Sequence, residues 1–215
     1  MVNVAAIIPT HEQDPEILWR AIDSAITVCR TVLVCIDRAQ EIPAHPDLEG
    51  VHYLISPGHG ISAALNHGIA NATTERIAFL DSDDQWLKGK RRQLANANHA
   101  TYTDYRMTGT GDAVVKDDPT LVFSDNVPCR STTMVLTQVA RDIGGFDESL
   151  PYCQDWDFNA RVQLYCGWHR VPNVLASIED LDTGHTRTAD GDVRSDCRQR
   201  VARANLVRET IYKHR

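Results

Sequence analysis

Apolar residues in the first hundred positions fall into short unbroken runs, separated by stretches with helical spacing. Val2 to Ile8, Thr31 to Ile36, Val51 to Ile55 and Arg76 to Leu80 read as strands buried on both faces, the kind a parallel sheet contains. After the first of them, Asp14-Pro15 supplies an N-cap and a proline at the first helical position. Ile17, Leu18, Ala21, Ile22 and Ala25 follow at helical spacing. The turn Pro57-Gly58-His59-Gly60 leads into a second helix, with Ile61, Ala64, Leu65, Gly68 and Ile69 as its apolar positions. A third helix is expected from Trp86 to Ala97. This alternation predicts an α/β domain whose sheet is covered on both faces.

The second half is less regular. Thr101 to Met107, Leu121 to Ser124, Thr132 to Leu136 and Val174 to Ile178 read as strands. The stretch Gly109-Thr-Gly-Asp112 reads as a loop. Asp155 to Cys166 reads as a helix with Phe158, Val162 and Tyr165 facing inward. From Arg194 to Tyr212 the stripe Val201, Ala204, Val207 and Ile211 predicts an amphipathic helix. Its charged positions are Arg194, Arg198, Arg200, Arg203, Arg208, Lys213 and, just beyond, Arg215. The bland account of these is a solvated face, and the sharper one is a patch for anionic lipid head groups, nucleic acid or an acidic protein. Lys88, Lys90, Arg91 and Arg92 would extend such a patch.

A chain of 215 residues can bury a full core in one domain, and 42% hydrophobic with 24% charged residues is ordinary for a soluble globular protein. The formal charge of −7 argues against a protein that coats nucleic acid over its whole surface. No apolar stretch reaches the length of a membrane span. The start, Met1 to Pro9, lacks a basic region and a cleavage site, so it reads as a strand. Six scattered cysteines without a C-x-x-C pair suit reduced thiols and a cytoplasmic location.

Chemistry concentrates at Asp81-Ser82-Asp83-Asp84, directly after the fourth run. Ligands of open α/β sheets gather at the carboxyl ends of strands. Crowded carboxylates repel one another unless a cation such as Mg2+ or Mn2+ neutralises them. The plainer account is a polar turn with Asp84 capping a helix that starts near Trp86. Pro9-Thr10-His11-Glu12 and Asp37-Arg38 end other strands and would lie beside the acids. Asp155 and Asp157 stand where helix N-terminal acids interact well with the macrodipole. Being two apart they point differently, so one can face a cleft while the other braces the fold.

The ordered set Pro9-Thr10-His11-Glu12, Gly60-Ile-Ser-Ala-Ala-Leu-Asn66-His-Gly68-Ile, Asp81-Ser-Asp-Asp84-Gln-Trp86-Leu, and Gly144-Gly-Phe-Asp-Glu148 with Gln154-Asp-Trp-Asp-Phe158 resembles the family 2 glycosyltransferases. The resemblance runs over about residues 2 to 187. It implies a single GT-A domain, α/β, with a Rossmann-like nucleotide-binding half built on a mostly parallel central sheet flanked by helices, plus an irregular acceptor-binding half. The boundaries it suggests are 1–98 for the nucleotide-sugar half, 99–187 for the acceptor and catalytic-base half, and 188–215 for a basic C-terminal helix.

By the same resemblance, Pro9, Thr10, His11, Glu12, Asp37, Asn66, Asp81 and Ser82 would bind the nucleotide. Arg38 stands where a second acid is usual, and Gln154 where Glu is commoner. Asp83, with Asp81 and the late His185, would hold Mn2+ or Mg2+, and Asp84 could add to them. Asp155 would be the general base of an inverting transfer from a nucleotide-diphosphate sugar, UDP being the expected nucleotide. The acceptor would meet Trp156, Arg130 and Ser131, the turn at Cys129 and the 109–118 loop. It could be a glycan, a lipid-linked sugar, a protein or a nucleic-acid hydroxyl, and the enzyme a monomer or homodimer. The missing Q-x-x-R-W motif argues against a processive synthase. Two rivals stay open: a sugar-nucleotide pyrophosphorylase, although Pro9-Thr-His-Glu12 is not the glycine- and basic-rich loop it needs, and a non-catalytic relative that binds partners through the cleft.

Overall fold

A computed structural model of the chain describes residues 3–37, 49–94, 96, 98–125, 128–179 and 191–214. Arg38 and the segment with His185 lie outside the described residues. Strands β1 (Val4–Thr10), β2 (Thr31–Ile36), β3 (Val51–Ile55) and β4 (Arg76–Phe79) form a parallel half-sheet in the order β3-β2-β1-β4. Alternate residues of β1 and β2 sort to opposite faces, as pleating demands. Ala5, Ile7, Leu33 and Cys35 pack with helix α2 (Ile61–Asn71), whereas Val4, Ala6, Ile8, Val32 and Val34 pack with helix α1 (Pro15–Ile26). Asp14 caps α1 by accepting from the backbone N–H groups of Glu16 and Ile17. Gly68 lets α2 sit close to the sheet, since a Cβ there would meet Ile7 Cγ2 at 2.6 Å and Cys35 Sγ at 2.8 Å.

Beyond β4 the sheet becomes mixed. β8 (Met134–Leu136) runs antiparallel to β4, β6 (Ala100–Met107) antiparallel to β8, and β9 (His169–Ile178) parallel to β6. A two-residue β5 (Gln85–Trp86) closes the edge on β9, and β7 (Ala113–Val114) folds back on β6. Short helices α3 (Arg91–Leu94) and α4 (Thr137–Asp142) precede α5 (Gln154–Tyr165) and α6 (Gly191–Lys213). An aromatic trio ties the halves together. Phe146 stacks on Phe158 at 4.2 Å between centroids, and Phe79 meets both edge-on. Such pairs contribute about 0.5–1.5 kcal/mol each beyond burial, enough to fix α5 against the end of β4.

Several expectations change. The helix expected from Trp86 to Ala97 shrinks to α3, because Gln85 and Trp86 pair with β9 and Gly89 takes a left-handed φ of 95°. Leu121 to Ser124 is not a strand but part of a 3-10 helix, Pro119–Phe123, set by the proline and by Asp118 accepting from Thr120 N–H. Another 3-10 turn, Arg130–Thr132, precedes β8. Tyr165 does not face the core; it is 52% exposed and its hydroxyl donates to Asp142. On α6, Val201 is buried, but Val207 and Ile211 are exposed, so the inward stripe continues instead through Asn205. Among the described residues no helix is long and apolar enough to cross a membrane.

Candidate active site

Strand order reverses between β2 and β4 around β1, and ligands of open α/β sheets bind at such switch points, outside the carboxyl ends. A cavity of about 610 Å3 opens there. Pro9, Thr10, His11, Asp37, Asp81, Ser82, Asp83, Arg130 and Asp155 line it, as do Asp84, Cys129 and Gln154. Residues from the end of β1, the turns that follow β2 and β4, the 3-10 turn at 130–132 and the first turn of α5 thus meet, although they are spread over some two-thirds of the sequence. Residues that sequence patterns did not single out also line it, notably Tyr105 and Met107 of β6, with Tyr152 and Cys153. Cys153 holds a left-handed φ of 60° immediately before α5, a strained conformation at the start of the helix carrying Asp155.

Asp37 and the three acids of the cluster have different environments. Asp37 is buried; its Oδ2 lies 3.6 Å from His11 Nδ1, and its Oδ1 accepts no hydrogen bond among the described residues. Asp81 Oδ1 is held by Arg130 through both Nε and Nη2, each at 2.6 Å. Burial, and then the charge of Asp81, push the Asp83 carboxyl above its ordinary pKa. Burial and the charges of Asp81 and Asp83 raise Asp84 further. Asp84 does not cap a helix. It accepts from Ser131 Oγ and from the Glu179 N–H, tying the end of β4 to the end of β9.

Other residues named from the sequence stand back from the cavity. Asn66 clamps the Gly145-Phe146 turn: its amide donates to Phe146 O and Glu148 Oε1, and its Oδ1 accepts from Phe146 N–H. Gly145, with φ 68°, has no room there for a Cβ, which would collide with Asn66 Oδ1. Ser131 is fully buried, its hydroxyl spent on Asp84 and on the Asp81 N–H. Trp156 packs with Val122, Phe123 and Val201, and its indole donates to Val122 O. Glu12 is exposed and lies outside the lining. Asp155 and Asp157 divide their tasks as their spacing suggested. Asp155 lines the cavity, whereas buried Asp157 accepts from Arg161 of α5 and Arg208 of α6.

Lys90 does not extend a basic surface; it is fully buried. Its ammonium donates to Ser131 O and Thr132 O and lies 5.0 Å from the centre of the Trp86 ring. Burial lowers its pKa from 10.5 to about 7. The unfolded chain therefore takes up this proton below pH 10.5, the folded protein only near pH 7, and stability from this residue is lost as pH falls through that window. Lys90→Met is expected to cost stability at pH 9, where neutral Lys90 keeps its bonds, and to cost less at pH 6. Melting temperatures of both proteins at the two pH values test this; an equal gap at both would refute it.

The fold is that of GT-A domains. The family model "Glycosyl transferase family 2" matches residues 5–110. Among solved structures, S. aureus TarS residues 1–349 superposes with a TM-score of 0.71 at 14% identity, over 96% of this chain and 65% of that one. The TarS 1–349 complex with UDP-GlcNAc gives 0.72 at 16%, over 96% and 66%, and the complex with UDP gives 0.64 at 15%, over 83% and 61%. The chain thus spans less than two-thirds of the length of the first of these structures. No curated protein matches it.

Proposed function

We propose that this protein moves a sugar from a UDP-sugar to an acceptor hydroxyl with inversion at the anomeric carbon, with Asp155 as general base. The observation that carries this reading is the single cavity that holds Thr10, His11, Asp37, Asp81, Asp83 and Asp155 together. Its volume suits a nucleotide sugar. The UDP and UDP-GlcNAc complexes of TarS support uridine as the nucleotide.

Asp37, with one buried oxygen that has no donor among the described residues, is suited to accept from the base or ribose. The acceptor hydroxyl attacks the anomeric carbon as the bond to the diphosphate breaks. Asp155 takes the hydroxyl proton, and UDP leaves with the charge. One displacement of this kind inverts the centre.

A divalent ion fits the donor set, since Asp81 and Asp83 offer hard oxygens and burial disfavours their joint charge. Among the described residues no group of three His, Cys, Asp or Glu forms a cage, so diphosphate oxygens and water would complete the shell, the pattern Mg2+ prefers. Mn2+ or Mg2+ held there supplies Lewis-acid stabilisation of the departing diphosphate. Because Ser131 and Trp156 are bonded inward, acceptor contacts fall to Tyr152, Cys153 and the end of β6.

Incubation with a panel of UDP-sugars and Mn2+ should release UDP by slow hydrolysis, and chelator should stop it. Absence of UDP release from every donor, with or without candidate acceptors, would overturn the reading.

A further inference from the structure

Arg130 occupies an unusual place for a guanidinium. Its side chain is 11% exposed, and two of its nitrogens hold the same oxygen of Asp81. Asp83 and Asp155 both feel its charge. The turn beneath it cannot drift. Trp86 Nε1 donates to Ser131 O, Lys90 to Ser131 O and Thr132 O, and Gln93 to Thr132 O, all from the segment that follows the acid cluster. Asp81, one of the two carboxylates suited to a metal, therefore already carries a counter-cation, and Asp83 lies within its field. Arg130 also lines the cavity that an arriving ligand would enter.

Resting on the function proposed above, we propose that Arg130 plugs the metal site: it keeps divalent ions off Asp81 and Asp83 in the nucleotide-free protein, and turns to the phosphate oxygens when a nucleoside diphosphate enters. A guanidinium and a divalent ion compete for one carboxylate, because each neutralises the charge the other needs. Phosphate oxygens offer Arg a denser, forked acceptor than one carboxylate oxygen, so the nucleotide draws it away. Ion and nucleotide then bind as a coupled pair, each raising the affinity of the other by the same factor. Arg130 is in this account a positioning residue.

Titration of the 215-residue chain with Mn2+, followed by electron paramagnetic resonance with and without UDP, tests this. Without UDP, Arg130→Gln is expected to bind Mn2+ about tenfold more tightly than wild type, and UDP should then raise its Mn2+ affinity by a smaller factor. A merely structural arginine would instead weaken both ligands. Arg130→Lys, which keeps a charge but only one point of contact, should fall between them. A cooperatively melting Arg130→Gln protein that binds Mn2+ no more tightly than wild type overturns the proposal. Should that variant fail to fold, Arg130→Lys carries the comparison, and wild-type Mn2+ affinity and coupling there overturn it equally. If wild type binds neither UDP nor Mn2+ with UDP, the proposed function itself fails. If it binds both and the variants do not differ, only the plug fails.

Discussion

Asp155→Asn is expected to lower turnover of a UDP-sugar by about a thousandfold, the range measured for loss of a general base, while leaving UDP affinity nearly unchanged. The change removes the proton acceptor and keeps the shape. In the native protein Asp155 Oδ1 accepts from the Trp156 N–H, a bond an asparagine oxygen can also accept, so the first turn of α5 should hold. Loss of structure is therefore a poor alternative explanation for lost activity. Comparison of kcat with the dissociation constant of UDP, measured by calorimetry, separates the two effects. Turnover within a few-fold of wild type would take Asp155 out of the reaction.

Asp157→Ala should act on stability instead. Asp157 is 5% exposed, with Oδ2 held by Arg161 at 2.6 Å and Oδ1 by Arg208 at 2.9 Å. Removing one partner of a buried pair leaves the other charge stranded, which costs about 3–5 kcal/mol. Both arginines keep roughly a fifth of their side chains in water, so about 3 kcal/mol is expected. Urea unfolding should register the loss, and the combined Asp157→Ala, Arg208→Ala protein should lose much less than the sum of the single changes. A single-variant loss below about 0.5 kcal/mol, the size of an exposed pair, would show that water already shields the network.

Most of the parallel half was legible because its signals are local. β2 and β3 have the predicted ends, and α1 starts at the expected cap, since apolar runs and an Asp-Pro pair need no tertiary context. Trp86 shows where that fails. Its apolar neighbours fit a helix, but the edge of β9, far along the chain, offered a ladder that decided the matter. Lys90 misled for a similar reason: a lysine among Lys88, Arg91 and Arg92 reads as surface, and only packing of the 130–132 turn above it accounts for burial. In the cavity, Asp81 and Asp155 could be named from motifs. Tyr105 and Met107 could not, because no local pattern says that the end of β6 lies beside the cleft. Nor could the pairing of Arg130 with Asp81, which joins residues 49 apart in sequence.

Helix α6 bears on the order in which this molecule can assemble. Val201 fills the cluster around Trp156 and Val122, and Arg208 completes the neutralisation of Asp157, one turn from the first residues of α5. During synthesis the ribosome must have passed Arg208 before that helix can settle, whereas the four parallel strands already have one another by residue 80. The parallel half is thus ready to close early, and the acid proposed to take the proton gains its firm footing late.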